Sequence, residues 1–250
     1  MLTCERNTKN RAMTPPGNMR RIVCLANSRK PGGRCIAGKL YDQGEFGAWL
    51  RPISVRDGEE LSEQERQISK GIEPALLDIL EFTISQHKPS GHQTENFLIN
   101  SRDQFKRVGR VTTGELITVI DNPKNLWAMG SRSKTFGKND LVPPHRISGI
   151  SNSLYLINPQ TFTIQVVRHN YSLQVRGNFS YLGAEYNLRV TDPIAEETFI
   201  QKGIGEYKRR DVLLTISLAE KIFAVTNNPS ASGYYKVIAG LIDISSLGRK

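Results

Sequence analysis

Short apolar runs separated by turn-forming residues recur along the chain, a pattern that is typical of β-structure. Residues 21–26 form an apolar run with β-branched members, which predicts a buried strand. Residues 77–84 alternate apolar and polar positions, which also predicts a strand. Further strands are expected at residues 35–37, 48–51, 154–157, 162–167, 173–175, 186–190, 212–219 and 234–244. Many short strands at close spacing favour a mainly β protein, built as a sandwich or as small barrels.

Helix signals are few. A helix is expected over residues 112–120, because Thr112 and Glu115 stand at the spacing of a capping box. A second helix is expected over residues 193–202, where Asp192 serves as N-cap and a proline occupies the first helical position. The chain is therefore predicted to be β with minor α.

The pattern of the sequence changes near residues 135–150, after which short β-like runs are joined by polar turns. This change predicts two domains. Residues 1–18 show no apolar periodicity and are expected to be a disordered tail. The first domain is predicted to span residues 19–145, with an inserted helical or loop segment at the acidic residues 57–73. The second domain is predicted to span residues 146–250.

The two predicted domains share a weak local sequence similarity. Residues 49–54 (WLRPIS) resemble residues 187–192 (NLRVTD) in the order of apolar and polar side chains. So few similar residues do not establish a duplication, but they agree with two related barrels.

Glycine and proline near residue 30 mark a turn rather than a nucleotide-hydrolysing loop. Residues 27–33 (NSRKPGG) predict a turn, because proline fixes φ and glycine permits positive φ. Residues 33–39 fit the G-x4-G-K part of a phosphate-binding loop. However, Leu40 stands where the chemistry needs a hydroxyl for Mg²⁺, and the residues after it are poor helix formers.

Charge changes the picture, because the 250-residue chain has a net charge of +10. The excess is clustered, and residues 1–50 alone carry +6. Clustered cations suit the phosphates of a polyanion, although basic proteins without a nucleic-acid partner are common. The candidate phosphate-binding residues are Arg29, Lys30, Lys208, Arg209 and Arg210.

Several classes of protein are excluded. No apolar run approaches the ~18 residues of a membrane helix, so no membrane partner is expected. The first residues lack the apolar core of a signal peptide, which favours a cytoplasmic location. The 3 cysteines, Cys4, Cys24 and Cys35, are too few for a disulfide framework and are expected to be free thiols.

Sequence gives little support for catalysis. Closed zinc sites need four ligands at tight spacing, and the cysteines and histidines here are scattered, so no metal and no cofactor is expected. There is no GxSxG nucleophile motif. No catalytic residue is therefore assigned.

The polar run His92–Asn96 offers a different chemistry. Its histidine, glutamine and asparagine carry donors and acceptors suited to the edge of a base, and its Glu95 could accept from an amino group. The alternative is a loop whose side chains satisfy backbone groups. Both interpretations stay open at this point.

Aromatic side chains are expected to serve mostly as core, while some could stack on bases. Phe179 and Tyr181 stand at alternate positions near Arg176, so they are expected to share one face of a strand. They are the best stacking candidates of the second half.

Five segments resemble the bacterial dual OB-fold-containing domain family, over roughly residues 19–245: RIVCLANSRKPGGRCIAGK, WLRPIS, HQTENFLIN, YNLRVTDP and YYKVIAGLI. The resemblance implies two small OB-like β-barrels in tandem and an association with bacterial conflict or defence systems. It also implies recognition of nucleic acid or a nucleotide. The polar positions of the family motifs fall on Asn27, Arg34, Cys35, Trp49, Arg51, His92, Gln93, Glu95 and Asn96.

These observations predict a non-catalytic module that binds single-stranded nucleic acid or a nucleotide, as a sensor or adaptor of a bacterial defence system. One alternative is an enzyme acting on nucleotides or nucleic acid, with His92 and Glu95 as acid and base. Arg34 or Arg51 would then hold the anion. Another is a protein-interaction adaptor whose barrels dock a partner effector protein.

Overall fold

The computed structural model describes residues 18–100, 103–133, 136–223 and 232–245. One sheet contains β1 (Met19–Lys30), β2 (Gly33–Asp42), β3 (Glu45–Ile53), β4 (Asp78–His87), β5 (Asn96–Ile99) and β6 (Lys106–Arg110). A second sheet contains β7 (Leu141–Val142), β8 (Leu154–Ile157), β9 (Thr161–His169), β10 (Ser172–Tyr181), β11 (Ala184–Val190), β12 (Gly205–Arg209), β13 (Val212–Phe223) and β14 (Gly233–Asp243). The prediction of a mainly β protein is confirmed.

The first sheet closes on itself into a five-stranded barrel in the order β1-β2-β3-β5-β4. Closure depends on the long strand β1, whose residues 22–30 pair with β2 while residues 19–23 pair with β4. A bulge between Cys24 and Ala26 bends this strand so that it reaches both neighbours. β3 and β5 run parallel, and the other neighbours run antiparallel. This arrangement is that of an OB-type Greek-key barrel, to which β6 adds beside β4.

The second sheet repeats this order with its first strand in two pieces. Its path β9-β10-β11-β14-β13 contains one parallel pair, β11 and β14, in the place of β3 and β5. β8 pairs with β13 and β9 pairs with β10, so two consecutive strands make the pairings that β1 makes alone. They are separated at residues 158–160, where Pro159 has no N–H to offer a neighbouring strand. The expectation of two OB-like barrels in tandem is confirmed.

Helices are short except for one. α1 (Glu63–Arg66) and α2 (Thr113–Leu116) are single turns, and α3 (Pro193–Lys202) is the predicted second helix. As predicted, the Asp192 carboxylate caps α3 and accepts from the backbone N–H of Ile194 at 3.0 Å and of Ala195 at 3.2 Å. Among the described residues, no helix is long and apolar enough to span a bilayer.

Two local predictions are corrected. The helix expected over residues 112–120 stops early, as α2 followed by a 3-10 turn at Ile117–Val119, because its second half is rich in β-branched residues. The turn expected at residues 27–33 is only two residues long. Residues 27–30 pair with β2 and extend β1, and Gly32 takes the positive φ of 84° that the tight turn requires.

An apolar cluster joins the two barrels. Val23 and Leu25 of β1 pack in one apolar cluster with Leu156, Leu213 and Ile242 of the second barrel. Beside this cluster, the Thr215 hydroxyl donates to the Leu25 carbonyl at 2.6 Å. The pairing of the barrels is therefore built into the hydrophobic core.

The segment before the predicted domain boundary at residue 145 packs on the second barrel. Leu126 belongs to the core of that barrel, and β7 pairs with β14. The buried Lys236 ammonium donates to the carbonyls of Ala128 and Asn139 and so holds the segment in place. The boundary itself stays a prediction. The predicted tail covers residues 1–18, and all of it except Asn18 lies outside the described residues.

Candidate functional site

The loop between β4 and β5 carries most of the polar run found in the sequence, and it is docked on the second barrel. His92 Nε2–H donates to the Ala219 carbonyl at 2.9 Å, and Gln93 Nε2 donates to the Leu218 carbonyl at 3.2 Å. Thr94 Oγ1 donates to the Ser151 carbonyl at 2.6 Å. These side chains donate to backbone carbonyls, as the interpretation of the polar run as a self-satisfying loop expected. The carbonyls, however, belong to the second barrel and not to the loop itself.

Behind this loop lies a buried ion pair between Arg51 and Glu95. Arg51 Nη2 lies 3.0 Å from Glu95 Oε1, and the two side chains are only 2% and 6% exposed. Arg51 also donates to Asn96 Oδ1 at 3.0 Å and to Ser153 Oγ at 2.7 Å, while the Ser153 hydroxyl donates to Glu95. Burying both charges is tolerable because they meet each other and further hydrogen-bonding groups.

Two polar atoms of this ion pair are left over. Arg51 Nε and Glu95 Oε2 are buried and have no hydrogen-bond partner among the described residues. Since buried polar groups are nearly always paired, such atoms mark places where a ligand or a rearrangement could complete the bonding.

A cleft with a cavity of about 540 Å³ lies between the barrels, on the Arg51 side of the ion pair. From the first barrel it is lined by Ser28–Pro31, Cys35, Arg51–Ile53, Gly58–Glu60 and Gln93, and from the second by Thr191, Ser217–Lys221 and Val237. In OB-type barrels the β1–β2 and β4–β5 loops flank the surface that binds oligonucleotides. Pro31 belongs to the first of these loops and Gln93 to the second, so the cleft lies between them.

The carboxylates on the cleft wall form ion pairs with lysine and arginine side chains. Glu220 lies 3.1 Å from Lys30 Nζ, Glu59 lies 3.0 Å from Lys88 Nζ, and Glu60 lies 2.7 Å from Arg56. Arg29 is paired with Glu196 at 3.0 Å, yet its side chain remains 58% exposed at the cleft. The wall is therefore not dominated by negative charge. Glu59 Oε2 is a further buried atom without a partner among the described residues.

A second cavity, which we name the Trp49 pocket, has a volume of about 460 Å³ and lies on the Glu95 side of the ion pair. It is lined by Lys39, Gly47, Ala48, Trp49, His87, Thr94, Glu95, Phe97, Asp121, Asn152 and Leu154. Trp49 is fixed by a 3.0 Å hydrogen bond from Nε1 to Asp121, and the His87 ring stacks on Phe97 at 4.4 Å. Neither His87 nor Phe97 was predicted as a site residue, because only the fold brings them beside Trp49.

A family model of the dual OB-containing domain matches residues 20–241. The chain belongs to the dual OB-containing domain family. This agrees with the resemblance read from the sequence motifs and with the strand order of both barrels. No curated protein matches the chain at a significant level.

The other predicted phosphate-binding residues of this dual OB protein lie outside the cleft. Lys208, Arg209 and Arg210 line a separate cavity of about 520 Å³, where the β12–β13 turn meets the break between β8 and β9. We name it the basic corner. Arg209 is 2.5 Å from Asp243. Lys208, on the edge strand β12, and Arg210, just after it, are exposed. The candidate phosphate-binding residues are thus divided between the cleft and this corner.

Asn27 and Arg34 face the segment before β4. Asn27 is 6% exposed and its Nδ2 donates to the Pro74 carbonyl at 2.8 Å. Arg34 lies 3.6 Å from Glu73, and its backbone exchanges hydrogen bonds with Leu61. Neither residue lines the cleft or the Trp49 pocket.

Phe179 and Tyr181, predicted to stack on bases, lie in the core of the second barrel. They are 1% and 5% exposed, Phe179 stacks on Tyr186 at 5.1 Å, and the Tyr181 hydroxyl donates to the Pro123 carbonyl at 3.0 Å. The alternation rule found that the two rings share a face, but it could not show that this face points inward. In this position the rings are closed to a base.

The four residues considered for an enzyme do not line one cavity. Arg51 lines the cleft and Glu95 lines the Trp49 pocket, whereas His92 and Arg34 line neither. Burial lowers the pKa of His92, and its Nε2–H donates to the Ala219 carbonyl. Among the described residues no group of three or more His, Cys, Asp or Glu side chains could hold a metal ion.

Proposed function

We propose that this dual OB protein binds single-stranded nucleic acid or a nucleotide in the cleft between its barrels. The observation that carries the proposal is the convergence of Arg29, Lys30, Arg51 and Gln93, all expected from sequence to contact such a ligand, on one cavity. The family resemblance would make such a module a sensor or adaptor of a bacterial defence system, and this role stays a prediction.

The size and lining of the cleft support this ligand class. Pockets for small ligands usually measure about 300–1,000 Å³ and combine apolar walls with a few polar groups. The cleft joins apolar side chains such as Pro52, Ile53 and Leu218 to the cations Arg29 and Lys30 at its edge. A base would lie against the apolar wall while its phosphate meets the cations.

The buried unpaired atoms support it further. Arg51 Nε is a donor and Glu59 Oε2 is an acceptor, and both residues line the cleft. Heterocyclic bases present acceptors and donors side by side, so one ring could satisfy both kinds of group.

Fluorescence anisotropy with a fluorescein-labelled single-stranded oligonucleotide of mixed sequence tests the proposal. Binding is expected at low salt and should weaken as KCl rises. A plot of the logarithm of the association constant against the logarithm of the KCl concentration should fall with a slope of roughly −0.7 per phosphate contacted. Replacing both Arg29 and Lys30 by Ala should lower the affinity about tenfold, because two charged contacts are lost.

The matched control is Arg168→Ala, which removes a cation from an exposed position on β9 that does not line the cleft. Its affinity should stay within about twofold of the unaltered protein. Failure to bind any oligonucleotide or mononucleotide at low salt would overturn the proposal. So would equal losses in the cleft variant and the control.

A further inference from the structure

We infer that the Trp49 pocket is a second binding site, separate from the cleft, that receives a single nucleobase carrying an exocyclic amino group. The inference extends the proposed function to another face of the first barrel. It rests on three features of the pocket: its aromatic side chains, its charge and an unpaired carboxylate oxygen.

The aromatic side chains are held in fixed positions. Trp49 is anchored through Nε1 to Asp121, and the Lys39 ammonium lies 5.6 Å from the Trp49 ring centre. The exposed His87 ring stacks on Phe97, and its Nε2–H donates to the Thr94 carbonyl at 2.7 Å. Rings held in this way can stack on a flat ligand without losing much conformational freedom.

The volume of the pocket fits one ring system. Gly47 and Ala48 precede Trp49 on β3 and contribute no large side chain to the lining. The resulting cavity of about 460 Å³ would hold a nucleobase with part of its sugar. In OB-type barrels β2, β3 and the β4–β5 loop form the surface on which bases stack, and the pocket takes its walls from all three.

The described lining of the pocket presents no unpaired cation to a phosphate and favours a base with N–H donors. Its ionisable lining residues besides His87 are Glu95, Asp121 and Lys39, and Lys39 Nζ is bonded to Asp121 at 2.7 Å. Glu95 is paired with Arg51 through Oε1, but its other carboxylate oxygen, Oε2, has no partner among the described residues. An amino group on adenine, cytosine or guanine can donate to such an oxygen, whereas the equivalent oxygen of uracil would repel it.

Nucleosides test the inference, because they lack the phosphate that the cationic residues would attract. The protein has 2 tryptophans, so ¹⁵N-tryptophan labelling gives two indole N–H signals, and Trp49→Phe assigns them. Adenosine, cytidine or guanosine should shift the Trp49 signal saturably, and by more than the signal of Trp127, whose indole N–H donates to Asn152 of the pocket lining. Uridine should bind at least several-fold more weakly.

His87→Ala should weaken nucleoside binding about tenfold, because it removes an exposed stacking ring. The control is His145→Ala, another exposed histidine that does not line the pocket. In Glu95→Gln, provided that the variant keeps the unaltered pattern of amide signals, the amide donor should reverse the preference toward uridine.

Absence of any saturable Trp49 shift would overturn the inference, as would equal binding of uridine or equal affinities of the two histidine variants. Oligonucleotide binding that depends on Arg29 and Lys30 would still stand in those cases. Failure of the base pocket is therefore distinguishable from failure of the cleft.

Discussion

The two barrels repeat one strand order but differ at the position where each has its parallel pair. In the first barrel Arg51 pairs with Asn96, and in the second Arg189 pairs with Val237. If the sequence similarity between residues 49–54 and 187–192 marks equivalent positions, Arg51 corresponds to Arg189. Arg51 is buried beside the cleft, whereas Arg189 is exposed.

The residues just before these pairing partners show the same contrast. Glu95 precedes Asn96 and is buried against Arg51, while Lys236 precedes Val237 and is buried against backbone carbonyls. Each barrel thus buries an ionisable side chain at this point and satisfies its hydrogen bonds differently. The difference indicates that the shared fold sets the backbone positions, whereas the contact between the barrels creates the polar site.

Replacing the two equivalent arginines should give the largest contrast. Arg51→Met leaves Glu95 buried without its partner and should lower the free energy of unfolding by about 3–5 kcal/mol. Arg189→Met alters an exposed side chain and should change it by less than about 0.5 kcal/mol. Urea unfolding of both variants measures the difference.

The double variant R51M/E95Q supplies the control for that comparison. Removing the carboxylate charge as well should recover part of the loss, because no unpaired charge remains buried. Equal stabilities of Arg51→Met and Arg189→Met would contradict the account of the buried ion pair.

The buried lysine of the second barrel should reveal itself in the pH dependence of stability. Burial lowers the pKa of Lys236 from 10.5 to about 7. Between these values the unfolded chain holds a proton that the folded protein has released, so stability rises as the pH rises. The slope contributed by Lys236 should approach about 1.4 kcal/mol per pH unit.

Lys236→Met should lack this contribution. The free energy of unfolding of the unaltered protein, minus that of the variant, should therefore increase from pH 7 toward pH 10.5. A difference that stays constant or falls over this range would contradict the assignment.

The helix caps of the two barrels give a smaller contrast. Asp192 caps α3 and also accepts from the Leu241 N–H at 3.1 Å, whereas Ser62 caps only the single-turn α1. Asp192→Ala should cost about 2 kcal/mol and Ser62→Ala about 0.5–1 kcal/mol in thermal or urea unfolding. The reverse order would show that the longer helix depends less on its cap.

Local sequence patterns predicted most strands and α3, because apolar periodicity and the Asp192–Pro193 signal act within a few residues. They missed the short strands β5, β6, β7 and β12. The same reasoning failed for the helix over residues 112–120, where capping-box spacing outweighed the β-branched residues that follow. It also could not tell which face of β10 points inward, so Phe179 and Tyr181 were expected at the surface.

The site was only partly predictable. Arg29 and Lys30 were identified by charge, Gln93 by polarity and Arg51 by the family resemblance, and these residues do meet at one cavity. The partners of His92 and Gln93 lie more than a hundred residues away on β13, beyond the reach of any local pattern. Ser153 and Glu59 gave no signal, because one serine or one glutamate in a polar stretch is ordinary.

Chemical footprinting of the cleft tests the central claim most directly. Cys35 is a half-buried free thiol that lines the cleft, so its alkylation by N-ethylmaleimide can be followed by mass spectrometry of the peptide that contains it. With a single-stranded oligonucleotide or a nucleotide bound, labelling of Cys35 should slow in proportion to occupancy, and the R29A/K30A variant should need more ligand for the same protection. Unchanged labelling of Cys35 at a ligand concentration that saturates binding would contradict the account.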